Sequence, residues 1–94
     1  MPWTIELTQR AFKDAAKLKS APLSQKAWAL IALMQTNPYI NPPSYEKLAG
    51  DLKGYYSRRI NDQHRLVYEV LEEKQLIRII RMWSHYEQAE NQHK

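Results

Sequence analysis

Five arginines fall in the second half of the chain, Arg58, Arg59, Arg65, Arg78 and Arg81, interleaved with Tyr55, Tyr56, Tyr68 and Trp83. Guanidinium groups grip phosphate oxygens in a two-pronged fork, and aromatic rings stack on unpaired bases. The combination suits single-stranded RNA; the same arginines would equally solvate the open face of a sheet. Glu46 follows a proline-rich stretch, and His85 lies near the end of the last apolar run. A carboxylate, a histidine and several arginines are enough for one reaction that needs no metal, because RNA carries its own nucleophile, the 2′-hydroxyl. A general base takes its proton, a cation holds the charge of the developing phosphorane, and a general acid protonates the departing 5′-oxygen. The products are a 2′,3′-cyclic phosphate and a 5′-hydroxyl. Taken singly, these residues say less. A lone histidine is most often structural or exposed, and a carboxylate beside a loop is most often solvated.

Other chemistries are poorly served. The chain has no cysteine, which excludes disulfide scaffolds, thiol nucleophiles and Cys-based metal sites. His64, His85 and His93 are scattered without metal-ligand spacing. Gly-rich nucleotide loops and the nucleophile elbow of the hydrolases are missing. No cofactor is expected.

The elements that must position these residues follow from periodicity. Trp3, Ile5 and Leu7 alternate with Thr4 and Glu6, the pattern of a half-buried strand. Thr8 suits a helix N-cap. The helix it opens spans residues 9–19, with Phe12, Ala15, Ala16 and Leu18 near one face. Pro22 suits the first turn of a second helix, in which Leu23, Ala27, Leu30, Ile31 and Met34 recur at three- and four-residue spacing until Asn37-Pro38. Three prolines make residues 37–44 a loop, and residues 45–52 read as either a helical turn or a loop. Strands are expected over 55–60, 64–70 and 75–83, joined by tight turns into an antiparallel meander. The order β-α-α-β-β-β makes an α+β fold, with two N-terminal helices on a mostly antiparallel sheet. Within a strand, alternate residues share a face, so Ser57 lies with Arg59, and Arg81 with Trp83 and His85. Whether Arg59, Arg65, Arg81 and His85 meet depends on register.

Ninety-four residues suffice for one domain, expected over 1–86, followed by a polar tail over 87–94. An apolar fraction of 44% supports a folded core, and Lys and Arg outnumber Asp and Glu 14 to 10, for a net charge of +4. That basic balance favours a polyanionic partner. Neither a signal peptide nor a membrane span is expected, and the composition is compatible with the cytoplasm.

The run Leu52-Lys53-Gly54-Tyr55-Tyr56-Ser57-Arg58-Arg59-Ile60, preceded by Glu46-Lys47-Leu48 and followed by His64-Arg65-Leu66-Val67-Tyr68 and His85-Tyr86, resembles the YoeB/Txe toxins of the RelE-like superfamily. The resemblance implies the toxin of a type II toxin–antitoxin pair, an mRNA endoribonuclease that works in the ribosomal A site and so inhibits translation. It implies Glu46 as general base, His85 as general acid, Arg65 as the cation on the transition-state phosphate, Arg59 as a supporting phosphate contact and Tyr86 as a positioning residue. Lys53 and Arg81 complete the candidate RNA- or phosphate-binding set. Tyr55 and Tyr56 are expected to serve structure and oligomer packing. The implied partners are an antitoxin of the YefM/Axe type, the ribosome with its mRNA, promoter DNA reached only through the antitoxin, and a second copy in a homodimer; no membrane is implied. Ala49-Gly50-Asp51 stands where relatives often carry basic residues. The alternative from charge alone is a non-catalytic basic module that holds RNA or a protein.

Overall fold

The computed structural model describes residues 2–20 and 23–82. Strand β1, Thr4–Leu7, leads into helix α1, Gln9–Ser20, and helix α2, Ser24–Thr36; then come β2, Glu46–Lys47, β3, Tyr56–Arg59, β4, Arg65–Leu71, and β5, Leu76–Arg81. The five strands form one sheet in the order β1-β5-β4-β3-β2. β1 runs parallel to β5, and every other pair is antiparallel. Both helices thus lie in the crossover between the outer strand β1 and the opposite edge, β2. The α+β class and the antiparallel meander are as expected from the sequence, and the neighbour of β1 proves to be the last strand.

Thr8 caps α1. Its Oγ1 accepts from the Ala11 backbone N–H at 3.1 Å, and its own hydroxyl donates to the Ile80 carbonyl at 3.0 Å, which ties the helix start to β5. Lys17 and Lys19 sit in the last turn, where the helix dipole favours cations. The buried face of α1 is Ala11, Asp14 and Leu18, with Ala15 packed beside it. Phe12, expected inside, is 67% exposed. The stripe is rotated by one position because Asp14 is drawn inward to the β5 end of the sheet. On α2 the buried residues Ala27, Ile31 and Met34 follow the expected spacing.

The core lies between these helices and one face of the sheet, filled by Ile60, Leu66, Tyr68, Ile77, Ile79 and Met82. Residues 45–52, ambiguous in sequence, resolve into the two-residue strand β2 and a 3₁₀ turn, Gly50–Leu52. Gly54 follows with φ +98°, a backbone shape that L side chains rarely adopt, and turns the chain into β3. Between β4 and β5 the register shifts: Tyr68 faces Ile79 while Val67 faces Arg81, so Ile80 is extra. That bulge breaks the simple alternation of β5 near its end.

Candidate functional site

Pairing across β2, β3 and β4 collects polar residues on the side of the sheet away from the helices. Glu46 stands opposite Ser57, and Arg59 opposite Arg65. Directly paired residues share a face, as do alternate residues of one strand. Glu46, Ser57, Arg59 and Arg65 are therefore neighbours on one surface, while Leu66 and Tyr68 point the other way into the core. These four residues, with Ser44 and Tyr45, line a cavity of about 220 Å³.

Arg65 is the centre of the group. Its side chain is only 8% exposed, while that of Glu46 is 56% exposed. One guanidinium nitrogen, Nη1, donates to Glu46 Oε1 at 3.3 Å and to Ser57 Oγ at 3.2 Å. Ser57 is fully buried. A buried hydroxyl on a short side chain has little freedom, so it holds the guanidinium at a set angle. Arg59 is exposed at the cavity rim, and among the described residues it makes no ion pair. A carboxylate, a fixed guanidinium and an exposed one thus share one concave surface. Such a surface can hold a phosphodiester and deprotonate a hydroxyl beside it. Alternation in the sequence places Ser57 on the face of Arg59 but gives it no role in the site.

The remaining sequence candidates lie elsewhere. Arg81 is turned toward α1, where Nε and Nη2 donate to the Asp14 carboxylate at 2.7 and 3.3 Å; the Met82 backbone N–H donates to the same carboxylate at 3.0 Å. Lys53 is exposed after the 3₁₀ turn and does not line the cavity. His85 and Tyr86, together with Trp83 and the expected tail 87–94, lie outside the described residues. Arg58, grouped with the RNA-facing arginines on the sequence, is buried on the helix side of β3.

Aromatic rings back this site. Tyr39, Tyr45, Tyr56 and Tyr68 form a chain of contacts with centroid separations of 5.7 to 6.4 Å. Burial raises the pKa of the Tyr39 phenol, and its 2.7 Å hydrogen bond to Glu72 adds to the rise. Burial likewise raises that of Tyr68, against the opposing pull of the Arg58 guanidinium. Both phenols therefore stay neutral well above pH 7.

Similarity to known proteins gives the family and the fold. Residues 7–86 match the family described as the YoeB-like toxin of bacterial type II toxin–antitoxin systems. The chain is 46% identical to Toxin YoeB of Streptomyces coelicolor over 48 residues, 51% of this chain and 57% of that protein. It is 51% identical to Toxin YoeB of Mycobacterium bovis over 39 residues, 42% of this chain and 46% of that protein. These matches thus span about half the length of the curated relatives. Among solved structures, a YoeB/ParE toxin from Agrobacterium tumefaciens superposes with a TM-score of 0.81 at 29% identity, covering 88% of this chain and 99% of that one. A heterotetrameric YoeB–YefM toxin–antitoxin complex from Staphylococcus aureus gives 0.76 at 32% identity, covering 92% of this chain and 100% of that one. A sheet that gathers Glu46, Arg59 and Arg65 on one face is thus found in a chain that belongs to the YoeB-like toxin family of bacterial type II toxin–antitoxin systems.

Proposed function

We propose that this toxin is a ribosome-dependent mRNA endoribonuclease that cuts by transesterification. The observation that carries the reading is the Glu46 carboxylate held 3.3 Å from the Arg65 guanidinium in a polar cavity rimmed by Arg59. Glu46 removes the 2′-hydroxyl proton, and the 2′-oxygen attacks the adjacent phosphorus. Arg65 and Arg59 hold the charge that grows on the non-bridging oxygens. The bond to the 5′-oxygen breaks, and His85 returns a proton to it. The ends left behind are a 2′,3′-cyclic phosphate and a 5′-hydroxyl, and no metal enters the balance. Tyr86 and Lys53 contact RNA around this centre. The ribosome supplies what an open, shallow cavity lacks, a fixed orientation of the mRNA.

The partners follow from this chemistry. An acidic or amphipathic antitoxin segment silences the basic cavity, folds on binding, and carries the complex to promoter DNA. The YoeB–YefM complex from Staphylococcus aureus supports such a partner by its similarity. A site that works on translating ribosomes places the protein in the cytoplasm.

The test is cleavage of mRNA on programmed ribosomes, mapped by primer extension and by the chemistry of the new ends. The wild type is expected to cut within the A-site codon. Glu46→Gln and His85→Gln are each expected to lose about 10²–10⁴ in rate while staying folded. If both cut at the wild-type rate, the acid–base assignment is wrong. Salt-sensitive binding to ribosomes without any cut product would instead make this chain a non-catalytic basic module.

A further inference from the structure

Adjacent arginines on β3 serve opposite sides of the sheet. Arg59 faces the cavity. Arg58 is 1% exposed and is the largest fully buried side chain among the described residues. Its Nε donates to the Tyr68 hydroxyl at 2.9 Å, Nη1 to the Pro43 carbonyl at 2.6 Å, and Nη2 to the carbonyls of Pro38 and Ile40 at 3.1 and 2.9 Å. The guanidinium carbon also lies 4.8 Å from the centre of the Tyr45 ring. Among the described residues no carboxylate pairs with it. Stability alone is a poor account of this residue. Taking an ion out of water is costly, and a packed apolar side chain would avoid that cost.

The three carbonyls share a place in the chain. They belong to residues 38–43, which have no strand or helix pairing and lead directly to Tyr45 and Glu46. Beyond them Glu46 sits on a two-residue edge strand with most of its side chain in solvent. On its N-terminal side the backbone is held by the Tyr45 ring, which packs on Tyr39 and Tyr56, and by what holds the 38–43 segment. Arg58 anchors the segment at three points, the last of them three residues before Glu46, and covers Tyr45 between.

We propose that Arg58 is a positioning residue of the active site: by gathering the Pro38, Ile40 and Pro43 carbonyls it sets where Tyr45 and Glu46 stand at the cavity. The proposal rests on Glu46 being the general base. It predicts that removing the fork harms catalysis only through Glu46.

A double-mutant cycle tests this, using single-turnover cleavage on programmed ribosomes by purified, folded protein. Arg58→Met keeps the length of the side chain and removes its donors. It is expected to lower the maximal rate by about 10–100-fold, the scale of a misplaced catalytic group, with the ribosome concentration for half-maximal rate unchanged. In a Glu46→Ala background the same change is expected to lower the rate by less than about twofold, since the group it positions is gone. Arg58→Lys keeps the charge but cannot reach all three carbonyls, so it is expected to fall between, and it carries the cycle if circular dichroism shows Arg58→Met unfolded. Wild-type rates in the Arg58 variants, or an equal loss in both backgrounds, overturn the positioning role while leaving Glu46 as base. A wild-type rate for Glu46→Ala overturns the base assignment, and the positioning role with it.

Discussion

Arg65 spends one nitrogen on two partners, Glu46 and Ser57, and each contact has a different consequence. The Glu46 contact lies at the water-exposed end and contributes little stability, about 0–1 kcal/mol for a pair of this kind. The Ser57 contact is buried and fixes direction. Ser57→Ala is therefore expected to leave the fold intact and reduce cleavage by several-fold, read as a fall in single-turnover rate at unchanged melting temperature. Arg65→Lys keeps the charge but loses the planar fork, and a loss of about 10²-fold or more is expected. Tyr68 is the residue-scale counterpart in the core. Tyr68→Phe leaves Arg58 Nε without its phenol, and urea titration should show a loss of about 1–3 kcal/mol.

At the scale of elements, the junction of α1 with β5 and the turn before β3 are the sensitive places. Asp14 accepts two hydrogen bonds from Arg81 and one from the Met82 backbone, and so ties the first helix to the last strand. Asp14→Ala strands a partly buried guanidinium and a buried N–H together. A destabilisation of about 2–4 kcal/mol is expected in the same titration. This pair also explains why Phe12 is outside: a carboxylate at Asp14, pulled to β5, sets the rotation of the helix. Sequence periodicity weighed apolar residues and had no means to weigh a buried ion pair. The turn is different. A Cβ on Gly54 would meet nothing within 4 Å, so Gly54→Ala acts through backbone strain alone. The left-handed shape costs roughly 1–2 kcal/mol.

For the whole molecule, two long-range properties can be measured. On the proposed function, the net charge of +4 predicts salt-dependent ribosome binding. The logarithm of the association constant should fall linearly with that of salt, and Arg59→Gln should make the slope shallower. The second property is pH. Tyr39 and Tyr68 both hold their protons more tightly when folded than the ordinary phenol value of 10.0. Their raised values contribute stability that is fully present below pH about 10 and is lost as pH rises from there through the folded values. Denaturant titrations should give a flat stability between pH 8 and 9 and a decline above pH 10. In Tyr68→Phe the decline should be shallower, because one of the two phenols no longer titrates.

What the amino-acid sequence determined by itself was the set of elements long enough to have a period, and the inventory of reactive groups. Both helices, β1 and the β3–β5 meander are legible as three- to four-residue or two-residue repeats. Glu46, Arg59 and Arg65 are legible as residue types in a long motif. β2 was not legible, because two residues have no period. Nor were the partners of any arginine. Arg58 and Arg59 are the same side chain one position apart, and nothing local distinguishes them. Only pairing with β2 and β4 decides that Arg59 meets the cavity beside Glu46 while Arg58 enters the core beneath the 38–43 segment. Arg81 was assigned to phosphate by its composition and position; in the structure its guanidinium meets the buried Asp14 carboxylate of α1. The physical reason is common to all three. A side chain's type is a property of one residue, but the face it occupies and the charge it meets belong to strands brought together from distant parts of the chain.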